Sequence, residues 1–325
     1  MVVNGGFVYF ENGTLSNPIM AISAGIARPY SRQVLIAPMA MSSLEQKITS
    51  GGSASSSNKL IITDLDGTFL NSQGAFDQTY FDKVSQMMEQ RGIAFAACTG
   101  KQCERVEELF GDQAAKIWIL GDSATRIKHQ GGYVFESLLP NALGQRLIQR
   151  LEKIADDHVI IACTPTAAYI KETTTEENAA RVRGSYRVVK TVTSYSEIQE
   201  DFVKVTVYDP KLRCFDSVKQ LSSFAADAYI VASEAAWIDI TNQGVHKGTT
   251  VAQLQNLLAV SPQETMVFGD GLNDSELMAA GTYSFAMKNA FEEIKEAAAF
   301  VTRSNDENGV LRTIELILAL QESKH

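Results

Sequence analysis

The 325-residue chain has only four cysteines, Cys98, Cys103, Cys163 and Cys214, and no two of them form a C-x-x-C pair. So few thiols in so long a chain exclude a disulfide framework and point to a reduced, cytoplasmic setting. The four histidines are scattered, so no Cys/His cluster competes for zinc. No apolar run approaches the roughly 20 residues that a membrane-spanning helix needs. Basic residues are outnumbered, 29 against 38 acidic, for a formal net charge of −9. With no basic stripe either, nucleic acid and anionic membrane are excluded as main partners. The chain has no basic opening and no apolar stretch ending in a small-residue cleavage site, so a secretory signal does not fit.

What remains is ordinary globular material, 45% hydrophobic and 21% charged, long enough for two domains. Residues 1 to about 40 mix glycine, proline and short apolar pieces without sustained period, and "SGGSASSSN" (Ser50 to Asn58) reads as a flexible linker. The stretch from Gly13 to Ser43 lacks acidic residues and carries Arg28 and Arg32, which leaves a targeting segment and an added or mistranslated leader both open. The sequon Asn12-Gly13-Thr14 means nothing in a reduced compartment. Residues 1–58 are therefore expected to be dispensable for the chemistry.

From Lys59 the pattern alternates. Leu60–Asp64 reads as a buried strand, a helix capped by Asp77 runs to about Gln90, and Arg91-Gly92 ends it. Strand Ile93–Cys98, helix Lys101–Phe110 and strand Lys116–Leu120 follow, with a hairpin over Thr125–Glu136 turning at Gly131-Gly132. The βαβαβ order implies a doubly wound parallel sheet. After Pro140 a helix to about Asp156 is expected. Strand-like pieces then come at His158–Cys163, Tyr186–Val192, Val203–Tyr208, Ala228–Val231 and Trp237–Ile240, with a helix from about Leu212 to Phe224. Several strands per helix suggest an α+β unit. At His246-Lys247-Gly248 the first rhythm resumes, with a helix to Leu258, strand Met266–Phe268 and a helix from Asp274. The expected organisation is an α/β core over residues 59–139 and 241–325, interrupted by an α+β cap over 140–240.

In open α/β sheets the ligand crevice lies beyond the carboxyl ends of the strands. Four polar clusters fall there: Asp64-Leu65-Asp66-Gly67-Thr68, Thr99-Gly100-Lys101, Lys247, and Gly269-Asp270-Gly271-Leu272-Asn273-Asp274. Parallel, adjacent strands would bring at least four carboxylates and two lysines into one volume, where like charges raise each other's pKa. A divalent cation removes the conflict, and oxygen-only ligands point to Mg²⁺. Asp64 and Asp66, two residues apart at a strand end, can reach one reaction centre, the first attacking phosphorus and the second serving as acid and base. Gly67 permits a turn that a β-carbon would obstruct. Thr99, with backbone N–H groups at a helix start, can bind phosphoryl oxygens. Lys247 can neutralise charge, with Asp274 placed to orient it. Taken singly, Thr99 would be a helix cap and Lys247 a solvated charge. Cys98 and Cys103 read as core residues, His246 as an exposed loop histidine, and Arg181 and Arg183 as a solvated basic face with substrate contact as the alternative.

"DLDGT", "CTGK", "HKG" and "GDGLNDSELM" resemble, in order and spacing, the four motifs of the haloacid dehalogenase superfamily. The closing "AMKNAFEEIKEAAAFVTRSNDENGV" is similar to its Cof-type phosphatase branch, with a C2-type cap between the second and third motifs. The likeness spans about residues 59–325. It implies an aspartyl-phosphate on Asp64 and general acid/base work by Asp66, with Thr99, Gly100, Lys247 and Asn273 holding phosphate. It also implies magnesium bound by Asp64, the Asp66 backbone carbonyl and Asp270, with Asp274 in support. Two departures stand out. Lys101 occupies a place more often held by arginine, which binds phosphate as a fork rather than a point charge. Asp122-Ser123-Ala124 stands where relatives usually read Asn-Gly-Ala. Lys101, Asp122 and Ser123 are accordingly candidates for substrate selection, Asp122 as an acid near the leaving group. The resemblance implies a phosphatase of small phosphorylated metabolites, sugar phosphates or phosphorylated cofactors. A phosphosugar mutase and a non-catalytic phosphometabolite-binding protein are the alternatives, and the oligomeric state is open.

Overall fold

A computed structural model describes residues 58–322. The leader sequon, Arg28, Arg32 and all of the Ser50–Asn58 linker except Asn58 lie outside the described residues. Strand β1 (Leu60–Thr63) has no exposed side chain, as a strand of a parallel sheet covered on both faces requires. Helix α1 (Gln78–Glu89) starts where Asp77 accepts a hydrogen bond from Tyr80 N, and it buries Phe81, Val84 and Met88. Strand β2 (Ala94–Cys98), helix α2 (Cys103–Phe110) and strand β3 (Trp118–Gly121) follow. The hairpin of β4 (Arg126–His129) and β5 (Gly132–Glu136) turns at Gln130-Gly131, with φ of 50° and 77°. That is one residue earlier than expected, because the primed hairpin turn needs two adjacent left-handed residues.

Next come α3 (Asn141–Leu151), β6 (Val159–Cys163), β7 (Ala168–Lys171), α4 (Glu176–Arg183), β8 (Val189–Val192), β9 (Lys204–Tyr208), α5 (Cys214–Ser217), β10 (Ala228–Glu234) and β11 (Trp237–Asn242). The chain then returns through α6 (Lys247–Leu258), β12 (Thr265–Gly269), α7 (Ser275–Ala280), β13 (Tyr283–Ala286), α8 (Glu292–Ala297), β14 (Phe300–Val301) and α9 (Gly309–Glu322).

One sheet has the order β14-β13-β12-β1-β2-β3-β4-β5. It is parallel from β14 to β3, and β4 and β5 are antiparallel. Thr63, the last residue of β1, pairs with Phe268 on one side and Ala97 on the other. The loops after β1, β2 and β12 therefore open side by side at one edge of the sheet. The other sheet, β10-β11-β9-β6-β7-β8, is antiparallel except for β7 and β8. Each sheet has its own apolar packing. Leu60, Phe81, Phe268 and Ile314 belong to the first cluster. Ile160, Phe202 and Ile240 lie on one face of the second sheet, and Ile161, Val182 and Val203 on the other.

The second sheet shows where local pattern was too weak to read. Helix α4 buries only Ala179 and Val182 and carries four charges in eight residues, while β7 is four residues long. The expected helix from Leu212 begins at Cys214 and tightens into 3₁₀ turns from Val218 to Phe224. Leu212 itself sits at φ 59°, outside any right-handed helix. The helix after Pro140 stops at Leu151, and β11 continues to Asn242.

Candidate active site

Asp64 N donates to Phe268 O at 3.0 Å, extending the ladder by one rung, so the Asp64 side chain emerges at the strand end. Its Oδ1 accepts from Lys247 Nζ at 2.6 Å, and the same ammonium lies 2.6 Å from Asp274 Oδ1. Lys247 opens α6 and is 3% exposed. His246 is the N-cap of that helix, its Nδ1 accepting from Thr249 N, and it is half-buried beside the Tyr229 ring rather than exposed in a loop. The other Asp274 oxygen accepts from Asp270 N and Gly271 N at 2.9 and 3.0 Å, which closes the loop after β12 on itself. Thr68 Oγ1 donates to Asp270 Oδ1 at 2.5 Å, tying the loop after β1 to the loop after β12. Gly67 makes that approach possible. Its φ is +75°, and a β-carbon there would stand 2.4 Å from Asp270 Oδ2.

Oxygens of Asp64, Asp270 and Asp274 come within 4.8 Å of one another. Burial pushes the Asp64 carboxyl well above its usual range, and the Asp274 and Asp270 charges push it further against the pull of Lys247. Burial, with Asp274 next, takes Asp270 up to about 7. Burial works against the Lys247 ammonium, but Asp274 and Asp64 together hold it well above the ordinary lysine value. One ammonium among three acids leaves the cluster short of positive charge. Every donor is a hard oxygen, with no histidine or cysteine in the group. Such a set fits a small divalent cation of the magnesium type. The nearby Cys98 thiol is pushed up to about 12 by burial, away from the thiolate form that a nucleophile needs.

The loop after β2 lies alongside. Thr99 is 1% exposed, and its Oγ1 accepts from Lys101 N at 3.2 Å. Lys101 Nζ is 3.0 Å from Asp66 Oδ1, joining an Asp66 side chain that is 61% exposed to a Lys101 side chain that is 10% exposed. Asp64, Asp66, Thr99, Gly100, Lys101, Asp270 and Asn273 all border one cavity of about 640 Å³. Its lining also includes Arg181 of α4 and Lys204, Glu234 and Trp237 of the second sheet. Arg183 does not border it and pairs with Glu176.

Asp122 is placed differently from the expectation. Its side chain is buried 3.8 Å from Arg126 Nη1, and it is absent from the cavity wall. Residues Asp122, Ser123 and Ala124 run left-handed, with φ of 55°, 61° and 62°, which turns the Asp122 carboxylate inward and the Ser123 hydroxyl toward Lys204. Burial pushes the Asp122 carboxyl up to about 6, against the attraction of Lys204 and Arg126. A carboxyl raised from 3.8 costs the fold nothing below pH 4 and costs on the order of 2–3 kcal/mol once it must ionise above pH 6. Asp122→Asn is therefore expected to raise Tm at pH 8, less what is lost of the Arg126 attraction, with the gain vanishing near pH 4. Thermal melts at the two pH values check this, and an equal shift at both would contradict it.

Sequence reasoning missed Thr68 as the tie between loops, and it missed Lys204 with its partner Asp239. The available signal was a lysine opening a valine-rich strand, since "KVTVY" is buried at four of its five positions. A buried lysine needs a partner.

This fold with this acid cluster defines a class. The family model of haloacid dehalogenase-like hydrolases matches residues 61–314, and the chain belongs to that family. It is a phosphatase of the Cof-type branch. It is 28% identical over 261 residues, 80% of this chain and 96% of the relative, to the Escherichia coli K12 5-amino-6-(5-phospho-D-ribitylamino)uracil phosphatase YbjI. It is 26% identical over 287 residues, 81% of this chain and 99% of the relative, to the phosphatase of the same description, YwtE, from Bacillus subtilis 168. Among solved structures, SMU.1108c from Streptococcus mutans UA159 matches with a TM-score of 0.77 at 29% identity, covering 81% of this chain and all of that one. The subclass IIB sugar phosphatase BT4131 shares the fold, with a TM-score of 0.69 at 18% identity over 80% of this chain and 98% of that one. Among the described residues no helix is long and apolar enough to cross a membrane.

Proposed function

We propose that the chain hydrolyses phosphate monoesters of small metabolites with magnesium, through a phosphoryl group carried on Asp64. The observation that carries this reading is the position of Asp64, at the end of β1, 2.6 Å from Lys247 and inside a nest of three acids. Asp64 attacks phosphorus with one carboxylate oxygen, forming the acyl-phosphate bond as the ester P–O bond breaks. Asp66 stands at the cavity and gives its proton to the departing oxygen. It then takes a proton from the water that opens the acyl phosphate. Thr99 and the N–H group of Gly100 hold phosphoryl oxygens, with Lys247 and Asn273 beside them. Magnesium, held by Asp64, Asp270 and the Asp66 carbonyl with Asp274 behind them, would neutralise charge on the transferring group.

The substrate class favoured is a sugar or sugar-alcohol phosphate bearing a heterocycle. The relatives named for a phosphoribitylaminouracil support it. So does a cavity wide enough for such a leaving group, with Trp237 and Tyr186 in its wall. The experiment is a panel of phosphorylated metabolites incubated with magnesium or with EDTA. Phosphate release is expected in magnesium, with a fall of about 100-fold or more in EDTA that magnesium reverses. Release that persists unchanged in EDTA contradicts the metal assignment, and binding without turnover contradicts catalysis.

A further inference from the structure

We propose that Lys204 is a positioning residue, a latch by which the second sheet seats on the phosphate loop and sets the geometry of Thr99–Lys101. The inference rests on the phosphatase reading above. Lys204 lies at the start of β9, with 2% of its side chain exposed. Its ammonium donates to Gly100 O at 2.9 Å, to Ser123 Oγ at 2.9 Å and to Asp239 Oδ1 at 3.1 Å. Those are three acceptors for three N–H bonds.

Only one of them, Asp239, belongs to the second sheet. It lies on β11, next to β9, where Thr206 Oγ1 donates to the same carboxylate oxygen at 2.8 Å. The other two acceptors belong to the first sheet's loops, on either side of Thr99. Gly100 follows it directly, and Ser123 N donates to Thr99 O at 3.0 Å. The grip continues one residue beyond Lys101. Gln102 N donates to Ser185 O at 3.0 Å, and Gln102 Oε1 accepts from Arg187 N at 2.9 Å. The peptide bearing Lys101 is thus held at one end by Lys204 of the second sheet and at the other by the loop between α4 and β8.

Two features separate a latch from a simple structural pair or a substrate contact. A lysine that served only its own sheet would need no acceptors across the cleft. A lysine that served a ligand would keep a donor for it, yet all three are taken here. The left-handed run Asp122–Ala124 adds weight, because three consecutive non-glycine residues in that conformation persist only where surrounding contacts hold them. Lys204 supplies one such contact through Ser123 Oγ. A loop misplaced by about 1 Å can cost about 100-fold in rate, so loss of the latch acts on turnover more than on affinity.

The test compares the full chain with Lys204→Met and Lys204→Arg on two substrates: the best ester of the metabolite panel, and acetyl phosphate, whose leaving group is too small to span the cleft. Expected is a fall in kcat of about 10- to 100-fold on both substrates for Lys204→Met, with KM changed by less than about threefold and partial rescue in Lys204→Arg. A rise in KM confined to the larger ester would make Lys204 a leaving-group contact and overturn the latch. An unchanged kcat with a lowered Tm would make it a purely structural pair, with the same consequence. A second readout does not depend on turnover. All four native cysteines are buried, so spin labels can be placed at Glu177→Cys and Asp112→Cys, exposed positions in the second and first sheets' units. Lys204→Met is expected to lengthen and broaden the distance between them. If the parent chain hydrolyses no ester, the phosphatase reading fails while this distance still decides the latch, and an unaltered distribution overturns it.

Discussion

Asp64→Asn is expected to lower phosphate release by a factor on the order of 10⁴ or more while leaving Tm unchanged or raised. The two effects have one cause. Asp64 is a carboxylate held where ionisation is unfavourable, since burial and two acidic neighbours push it up and Lys247 only partly answers. An amide of the same shape removes the charge, keeps an oxygen for Lys247 and cannot form a stable acyl phosphate. A group retained at a cost to the fold is a sign of function. Purified variant and parent chain, assayed on the same ester in magnesium and melted side by side, give both numbers. Near-normal turnover would remove Asp64 from the chemistry. Lost turnover together with a lowered Tm would mean that the substitution damaged the fold instead.

Lys247→Met is expected to have the largest effect on stability. The ammonium is 2.6 Å from each of Asp64 and Asp274, and its removal leaves three acids within 4.8 Å of one another with no positive partner in the cluster. Breaking a buried pair from one side costs about 3–5 kcal/mol. The cost should be full in EDTA and smaller in magnesium, because three acids without the ammonium bind a dication more tightly than the parent's cluster does, and binding to the folded chain alone stabilises it by mass action, about 2.7 kcal/mol at a hundred times the Kd. Denaturation of parent and variant, each with magnesium and with EDTA, gives four values to compare. A variant that loses nothing in EDTA, or that magnesium does not help, would contradict the view of this cluster as a seat for a dication. Activity falls in either buffer, since Asp64 loses the contact that orients it.

Much of the first sheet and its acids was legible because several local signals agreed. The apolar run Leu60–Thr63 ends in acids and a glycine, and that glycine stands where a β-carbon would strike Asp270. Asp77 sits at the N-cap and accepts from Tyr80 N. The helix from Lys247 to Leu258 was read at its observed ends, while the role of Lys247 came from the family resemblance. The second sheet was less legible for physical reasons. Helix α4 has almost no apolar face, and β7 gains its place from pairing with β6 and β8 rather than from its own four residues. Asp122 was misplaced because sequence order put it after a strand that feeds the site. Its direction depends on three left-handed residues that no side-chain pattern announces. Lys204 and Asp239 are 35 residues apart, and only strand pairing brings them together above Gly100.

The most direct measurement is chemical trapping of the phosphorylated residue. Enzyme turning over its ester is quenched in acid, reduced with borohydride and digested, and the peptide containing residue 64 is weighed. Hydride reduction of an acyl phosphate leaves the alcohol, so Asp64 is expected to be found as homoserine only when substrate and magnesium are both present. Unmodified Asp64 in enzyme caught during turnover, with homoserine at another acid or at none, would contradict the covalent role assigned to it.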